Sequence, residues 1–316
     1  MAGRGTPAPG NLPHLALMKI DIIYAACYKY DLRYTRILVA SIRQWYPDIP
    51  ICLIKDRFYG DFDTTEIEKI WGATVLKTEF TCYSWGFSKF TPLFLPAGQR
   101  FLVLDSDIVF TGPVLQLLES HDADFIVQRE EPSPAFIESN YLNLEKLAEL
   151  DPGFVFPGFT FNTGQWVGTS GLLSPADFEP ELEWINRPRT RHPEVFKFGE
   201  QGLFNYVLMK KSACAEISLD RLQFMYVPGF EDCPPVRTTE LGPSSSYRFV
   251  LHWCGQKRRY LSDMALSGVL LHFERLYYSR VPFGGVKRPL RVFTNHLKEC
   301  LNRMFRKMVN LSLIHI

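Results

Sequence analysis

The stretch that decides the fold is Arg100-Phe101-Leu102-Val103-Leu104-Asp105-Ser106-Asp107-Ile108-Val109-Phe110. Four of its first five residues, Phe101 to Leu104, form a short apolar run, which predicts a buried strand. Residues two apart in an extended chain point the same way, so the side chains of Asp105 and Asp107 are expected to project together from the carboxyl end of that strand. In open α/β sheets this end borders the ligand crevice. The sequence therefore predicts a ligand site at the acidic triplet.

Upstream of this stretch, predicted strands and helices alternate. Apolar, β-branched runs predict strands at 20–26, 49–55 and 74–77, and helical spacing predicts helices at 31–46, 65–71 and 84–95. Such alternation implies βαβ units, and hence a mostly parallel central sheet flanked by helices. We expect a single Rossmann-like α/β domain.

The second half of the chain is less regular. Patterning predicts helices at 143–150, 175–185 and 200–209, a strand at 249–251 and a long Pro- and Ser-rich loop at 228–247. Residues 1–17 are expected to be a disordered leader, 18–260 the α/β domain, 261–310 a basic helical segment and 311–316 a tail.

The composition is that of an ordinary globular protein. The chain has 316 residues, 46% of them hydrophobic, and a formal net charge of +1, which gives no reason to expect a nucleic-acid partner. The seven cysteines are scattered and contain no Cys-x-x-Cys pair, which favours a reducing, cytoplasmic location. No apolar run approaches the roughly 20 residues that span a bilayer.

The C-terminal segment is strongly basic. Residues 256–310 contain twelve Lys or Arg against three acidic residues, a net +9, so the rest of the chain is −8. Apolar residues recur within this background at near-helical spacing: Val292, Leu297, Leu301, Met304, Phe305 and Met308. A basic amphipathic helix can lie on an anionic membrane surface, or it can pack on the domain with a solvated basic face.

A second group of residues extends the acidic triplet into a metal site. Two neighbouring carboxylates repel each other unless a cation is shared between them, and hard oxygen ligands favour Mg²⁺ or Mn²⁺, which in turn bind diphosphate. A predicted strand runs into His252, whose imidazole could be a third ligand, and Lys257 follows at a distance that reaches a phosphate. Taken singly, an Asp-x-Asp can instead cap a turn, and a histidine is more often packed than ligating.

These motifs together resemble glycosyltransferase family 8, which includes glycogenin and the lipopolysaccharide galactosyltransferases. Asp105-Ser106-Asp107 and His252-x-x-Gly255 with Lys257 resemble the family's metal and diphosphate motifs. Phe161-Asn162-Thr163-Gly164 resembles its Phe-Asn-Ala/Ser-Gly segment, and the stretch from Glu200 to Asn205 resembles its Asp-Gln-x-x-x-Asn helix start. The four motifs occur in the family's order over residues 19–260.

The resemblance implies a GT-A fold, a nucleotide diphosphate bridged by Mn²⁺ (or Mg²⁺), and transfer of a hexose with retention at the anomeric carbon. By position, Asp105, Asp107 and His252 become metal ligands, and Glu200 and Gln201 lie beside the anomeric carbon. The positions implied for the nucleotide sugar are Ala25, Ala26, Tyr28, Lys89, Asp105, Ser106, Asn162 and Lys257. The donor is expected to be a UDP-sugar, and the acceptor a glycan, a lipid-linked sugar or a protein.

Three positions depart from the family's pattern. The family's first strand runs into an acidic residue that helps to hold the base and ribose, whereas here Ala25-Ala26 is followed by Cys27-Tyr28. Lys89 replaces a family arginine, which keeps the charge and loses bidentate geometry. The family's Lys-Pro-Trp becomes Lys257-Arg258-Arg259. The sequence is therefore predicted to be a divergent relative.

Two further hypotheses compete with a transferase. A sugar nucleotidyltransferase would use a similar sheet but needs a Gly-rich phosphate loop after the first strand, which residues 25–30 do not provide. A catalytically degenerate protein that only binds nucleotide sugar is the other alternative. Glu200 could be a nucleophile with Gln201 as a stabiliser, or it could simply be an acid that favours a helix N-terminus.

Overall fold

The computed structural model describes residues 18–77, 86–185, 187–258 and 260–294. The predicted leader at 1–17 and the predicted tail at 311–316 lie outside these ranges. The part of the predicted basic helical segment that follows residue 294 also lies outside them, and with it every apolar position of the predicted helix except Val292.

The described chain is a mixed α/β structure. Its strands are β1 (Ile22–Tyr28), β2 (Ile51–Asp56), β3 (Ala73–Val75), β4 (Arg100–Leu104), β5 (Ile108–Phe110), β6 (Phe125–Gln128), β7 (Gln165–Thr169), β8 (Leu182–Glu183), β9 (Arg189–Thr190), β10 (Leu219–Leu222), β11 (Met225–Tyr226) and β12 (Val250–His252). Its α-helices are α1 (Leu32–Trp45), α2 (Thr65–Trp71), α3 (Leu115–Glu119), α4 (Pro134–Asn140), α5 (Leu144–Leu150), α6 (Glu200–Ala213) and α7 (Ser267–Arg280), followed by a helical stretch at 284–294.

The central sheet has the strand order β10-β6-β7-β4-β1-β2-β3. Its pairs are parallel except where β7 lies antiparallel between β4 and β6. A smaller sheet, β11-β12-β5, lies beside the point where β4 ends. The predicted α/β class with a mostly parallel sheet is confirmed.

Alternate residues of β4 divide the apolar core into two layers. Phe101 and Val103 belong to the cluster that contains Trp166 and Phe204, whereas Leu102 and Leu104 belong to the cluster under α1. Because residues of a strand alternate between faces, a strand covered on both sides must be apolar throughout. This explains why the continuous apolar run Phe101–Leu104 predicted a central strand.

Most predicted elements are present with ends that differ from the prediction by up to four residues. The helix predicted at 84–95 is a 3₁₀ helix at Phe87–Phe94, and it contains Pro92, which cannot donate a backbone hydrogen bond. The helix predicted at 175–185 is wrong. Only a 3₁₀ turn at Pro175–Asp177 forms there, and the chain then enters β8, which pairs with β9.

The C-terminal helices pack on the domain. Phe273 and Tyr277 of α7 are fully buried, and α7 lies against α1. The stretch at 284–294 is tied to Glu66 and Glu274 by Lys287, Arg288 and Arg291. None of the helices within the described ranges combines the length and the apolar character needed to cross a membrane.

Candidate metal and diphosphate site

The acidic triplet forms the turn between β4 and β5. The backbone N–H of Asp105 donates to the carbonyl of Gly164 at 2.7 Å, which fixes this turn to the start of β7. Ligand atoms of Asp105, Asp107 and His252 all lie within 4.8 Å of one another. The two carboxylates therefore converge as expected, but they do so through a turn and not through extended chain.

Strand pairing brings His252 to the triplet. It is the last residue of β12, opposite Ile108 of β5, and its side chain is buried. Its Nε2 lies 3.4 Å from Asp107 Oδ1 and 3.9 Å from Asp105 Oδ2. Burial opposes the charge of Asp107, but His252 and Lys257 outweigh it and hold the pKa of this carboxyl well below its usual range.

The residues before β7 shape the wall behind His252. Asn162 Oδ1 accepts a hydrogen bond from the backbone N–H of Gly164 at 2.8 Å, which closes a tight turn. A Cβ placed on Gly164 would lie 2.2 Å from His252 Cε1. Glycine at this position therefore lets the imidazole reach the carboxylates.

Lys89 connects Asp105 to Glu200 at the base of the site. It is fully buried, and its Nζ lies 3.1 Å from Asp105 Oδ1 and 3.3 Å from Glu200 Oε1. It also donates to the carbonyl of Thr163 at 3.1 Å. Burial disfavours the ammonium, but the two carboxylates outweigh it and raise the pKa of Lys89, so this lysine is charged.

Asp31 is a site residue that sequence reasoning missed. It directly precedes α1, and its Oδ2 accepts hydrogen bonds from Lys257 Nζ at 2.5 Å and from Ser106 Oγ at 3.3 Å. Lys257 Nζ also lies 3.4 Å from Asp107 Oδ2. Burial works against the charge of Lys257, but Asp107 and Asp31 raise its pKa above the usual value. An acidic residue near the end of the first strand was the available signal.

Glu200 and Gln201 begin α6 and differ in their surroundings. The Glu200 carboxylate is buried, accepts a hydrogen bond from Thr163 Oγ1 at 3.2 Å, and occupies the space that a Cβ on Gly86 would need. Burial raises the pKa of Glu200, and Lys89 opposes that shift. Gln201 is half-buried and donates to the carbonyl of Asn140 at 2.9 Å.

Asn205 anchors the Phe-Asn-Thr-Gly segment to α6. Its Oδ1 accepts from the backbone N–H of Phe161 at 2.8 Å, and its Nδ2 donates to the carbonyl of the same residue at 2.9 Å. The side chain is fully buried. Asn205, the last residue of the Glu200–Asn205 motif, thus positions the loop that carries Asn162 and Gly164.

A pocket of about 280 Å³ opens where β1 ends. It is lined by Tyr28, Lys29, Tyr30, Asp31, Asp56, Phe58, Tyr59 and Arg187. Burial raises the pKa of Tyr28, and the nearby carboxylate of Asp105 adds to the shift. Ala25 and Ala26 are fully buried inside β1, so their contact with a nucleoside stays a prediction.

Glu130 is a second acid that sequence reasoning did not select. Its Oε2 accepts from Tyr141 Oη at 2.6 Å, and burial raises its pKa against the effect of that hydrogen bond and of the backbone N–H of Asn162. It lies in the loop between β6 and α4, where the sequence shows no motif. The signal that could have found it is its place directly after a buried strand.

Comparison with known proteins identifies the fold. No protein-family model and no curated protein sequence matches the chain. Solved structures with a similar fold include the galactosyltransferase LgtC in complex with donor and acceptor sugar analogs, at 14% identity and a TM-score of 0.52, with 83% of this chain and 97% of that chain covered. The structure of an active-site mutant of LgtC shares 14% identity with a TM-score of 0.53, and the similarity covers 82% of this chain and 95% of that chain.

A third structure, the bifunctional glycosyltransferase WbbM in its apo form, shares 11% identity with a TM-score of 0.55. The similarity covers 90% of this chain and 53% of WbbM. The chain therefore has the GT-A fold of these glycosyltransferases. Because one fold can carry different chemistries, the activity has to be argued from the site.

Proposed function

We propose that this protein is a metal-dependent glycosyltransferase that moves a hexose from a nucleotide diphosphate sugar, most simply a UDP-sugar, to an acceptor hydroxyl. The observation that carries the proposal is the convergence of Asp105, Asp107 and His252, with Lys257 beside them, at the carboxyl end of a central strand. LgtC, which has a similar fold, was solved with donor and acceptor sugar analogs.

The residues at the triplet fit a divalent cation. Asp105 Oδ1 is buried and accepts no hydrogen bond of ordinary geometry from the described residues, although Lys89 Nζ lies 3.1 Å away. Among the described residues, the four carboxylates of Asp31, Asp105, Asp107 and Glu200 pair with two lysines, Lys89 and Lys257. Asp105, Asp107 and His252 would hold Mn²⁺ or Mg²⁺, which as a Lewis acid supplies charge stabilisation to a diphosphate.

Lys257 is the proposed phosphate contact. Breaking the bond between the anomeric carbon and the diphosphate leaves negative charge on the departing phosphate, and a fixed ammonium there lowers the barrier. Lys257 is held by Asp31 and Asp107. These carboxylates keep the lysine charged and oriented until a phosphate takes their place.

Asn162, Glu200 and Gln201 are the proposed groups on the sugar side. The contacts of Glu200 with Lys89 and Thr163 favour a positioning role, in which Glu200 fixes Lys89 and thereby Asp105. Gln201 is less buried and is the better candidate for contact with the sugar. Retention of anomeric configuration follows from the family resemblance and is part of the proposal.

The pocket beside Tyr28 is proposed to hold the nucleoside. Tyr28, Tyr30 and Tyr59 offer aromatic faces for a base, and Asp31 and Asp56 offer carboxylates for ribose hydroxyls. Asp31 lies between this pocket and Lys257, so it can take over the role of the acid missing after Ala25-Ala26.

The test compares wild type with Asp107→Asn and with Asp122→Asn, an exposed aspartate used as the control. Thermal shift against a panel of nucleotide sugars with and without Mn²⁺ identifies the donor, and release of nucleoside diphosphate measures turnover. Asp107→Asn should lower Mn²⁺-dependent hydrolysis by about a hundredfold or more, because it removes a charged ligand, while the control keeps full activity.

Each alternative has its own outcome. Full activity in Asp107→Asn would overturn the metal assignment. Donor binding without hydrolysis or transfer in wild type would overturn the enzyme in favour of a nucleotide-sugar binder. Release of pyrophosphate from a sugar phosphate and a nucleoside triphosphate would instead show a nucleotidyltransferase.

A further inference from the structure

The helical stretch at 284–294 has its charged side turned inward. Arg291 donates from both terminal nitrogens to Glu66 at 2.6 and 2.9 Å, and Lys287 Nζ lies 3.3 Å from the same carboxylate. Arg288 Nε donates to Glu274 at 2.8 Å. The basic residues of this stretch are thus largely engaged by acids of the domain, not spread over a solvated face.

The opposite side of the stretch is apolar and exposed. Phe283, in the turn just before the stretch, is followed by Val286, Leu290 and Phe293 at spacings of three or four residues, and the four side chains are 83%, 68%, 56% and 61% exposed. Helical surface residues at this spacing normally face a core. Here they form one continuous stripe, the apolar stripe, which no described residue covers to any large extent.

A groove of about 780 Å³ runs between α7 and the stretch at 284–294. Its walls combine apolar groups, including Val292 and Phe293, with the cations Arg275 and Arg288 and the ring of Tyr278. Arg275 is exposed to solvent. A groove with arginines beside an apolar stripe has the chemistry of a site for a phosphate group attached to a hydrocarbon.

We propose that the apolar stripe, Phe283, Val286, Leu290 and Phe293, docks on an anionic phospholipid bilayer, with the adjacent groove receiving lipid phosphate. Side chains of this size insert into the boundary between headgroups and acyl chains, and cations beside them are attracted to anionic lipid. This inference does not depend on the proposed transferase activity.

Charge favours a bilayer over other partners for this surface. The chain after residue 294 carries Lys298, Arg303, Arg306 and Lys307 against Glu299 alone, so it continues the positive charge of the segment. Two such surfaces from two copies would repel each other, whereas an anionic bilayer attracts both the charge and the apolar residues.

The experiment measures cosedimentation of the full chain with vesicles of phosphatidylcholine alone and with vesicles containing one third phosphatidylglycerol. The test variant is Leu290→Ser with Phe293→Ser. The control is Leu172→Ser with Ile185→Ser, which removes two exposed apolar residues elsewhere. Thermal melting and size-exclusion chromatography with light scattering accompany each protein, and nucleoside diphosphate release follows the proposed active site.

The proposal expects wild type and control to bind the anionic vesicles, with binding weakened by raising NaCl from 0.1 to 0.5 M. The test variant should bind at least tenfold more weakly while its melting temperature and its nucleoside diphosphate release stay unchanged. Equal binding of the test variant would overturn the assignment of this surface, as would absence of wild-type binding. Two further outcomes would also overturn the proposal. If wild type is a dimer and the test variant is a monomer, the stripe binds a second copy of the chain. If the test variant has a lower melting temperature than wild type, the stripe is covered by the chain after residue 294.

Discussion

At the scale of single residues, the position of the His252 imidazole depends on the close approach of the Gly164 backbone. A methyl group at Gly164 would lie 2.2 Å from His252 Cε1 and 2.8 Å from its Nδ1, and the ring is buried on its other sides. The imidazole would therefore have to turn away from Asp105 and Asp107. The geometry of the proposed metal site is set partly by the absence of a side chain at Gly164.

Gly164→Ala is expected to weaken Mn²⁺ binding by about tenfold or more, because a displaced ligand leaves the coordination set incomplete. Isothermal titration with Mn²⁺ measures the effect. Gly242→Ala is the matched control, since a Cβ there meets nothing within 4 Å. Unchanged Mn²⁺ affinity in Gly164→Ala would mean that His252 is not a ligand.

Lys89 is the residue whose charge holds together the buried carboxylate of Glu200 and the partly exposed carboxylate of Asp105. Lys89→Met is expected to destabilise the protein by about 3–5 kcal/mol, because Asp105 and Glu200 lose their common partner. Urea denaturation followed by circular dichroism gives the free energy of unfolding. Lys89→Arg should recover part of the loss, and Lys19→Met, at an exposed lysine, should change little. A loss below 1 kcal/mol in Lys89→Met would contradict the role of the ammonium.

At the scale of elements, Asn205 makes α6 and the segment before β7 a single unit. Asn205→Ala leaves the backbone N–H and carbonyl of Phe161 without their buried partner, which should cost about 2–4 kcal/mol of unfolding free energy. Asn140→Ala, whose side-chain hydrogen bonds are exposed, should cost less than about 1 kcal/mol. Chemical denaturation checks both values, and equal losses would contradict the anchoring role.

The elements that sequence predicted best are those whose burial is simplest. β1, and β4 from Phe101 to Leu104, are continuously apolar because they are covered on both faces, so a run of apolar residues was sufficient to find them. Gly72 follows the helix predicted at 65–71 and adopts the left-handed conformation that favours glycine and ends a helix. In these cases the residue types that favour the element locally are also the types that its position in the fold requires.

The helix wrongly predicted at 175–185 shows where local pattern is insufficient. Phe178 and Leu182 have helical spacing and are both buried, yet they reach the core from a 3₁₀ turn and from β8. Trp184 Nε1 donates to the carbonyl of Pro175 at 3.0 Å and folds the segment back on itself. Pairing of β8 with β9 is a contact that periodicity within one segment does not contain.

The same reason explains which site residues were found. The acidic triplet, His252 and Lys257 belong to motifs, whereas Asp31 and Glu130 stand alone in the sequence. Asp31 enters the site only because β1 and β4 are neighbours and Lys257 arrives from a loop after β12. Asp31 thus belongs to the site because segments that are distant in the sequence pack beside it, and residue type alone does not indicate this.

At the scale of the whole molecule, Glu66 joins the C-terminal stretch to α2. Burial opposes its charge, but hydrogen bonds from Arg291 and Tyr277 lower the pKa of Glu66 to about 2 from a usual value of 4.5. Since the pKa is depressed in the folded state, this carboxylate contributes stability above pH 4.5 that is lost as pH falls toward 2.

Glu66→Gln should therefore lower unfolding free energy by roughly 1–3 kcal/mol at pH 7, between the values for exposed and buried ion pairs. The difference in unfolding free energy between wild type and Glu66→Gln should shrink as pH falls from 4.5 to 2, because Glu66 becomes protonated. Thermal melting across this range checks the prediction, with Glu138→Gln, at an exposed glutamate, as the control. A difference that is constant with pH would show that the charge of Glu66 is unimportant.

The pairing of β5 with β12 has a consequence for how the protein is made. Thr111 and Phe249, which join these strands by a hydrogen bond, are 138 residues apart in the chain. During synthesis the aspartates emerge from the ribosome well before their histidine, at roughly 5–20 residues per second. For several seconds the nascent chain holds two adjacent carboxylates without His252 or Lys257. Assembly of the proposed centre is thus a late event in biosynthesis, since all seven strands of the main sheet are synthesised before His252.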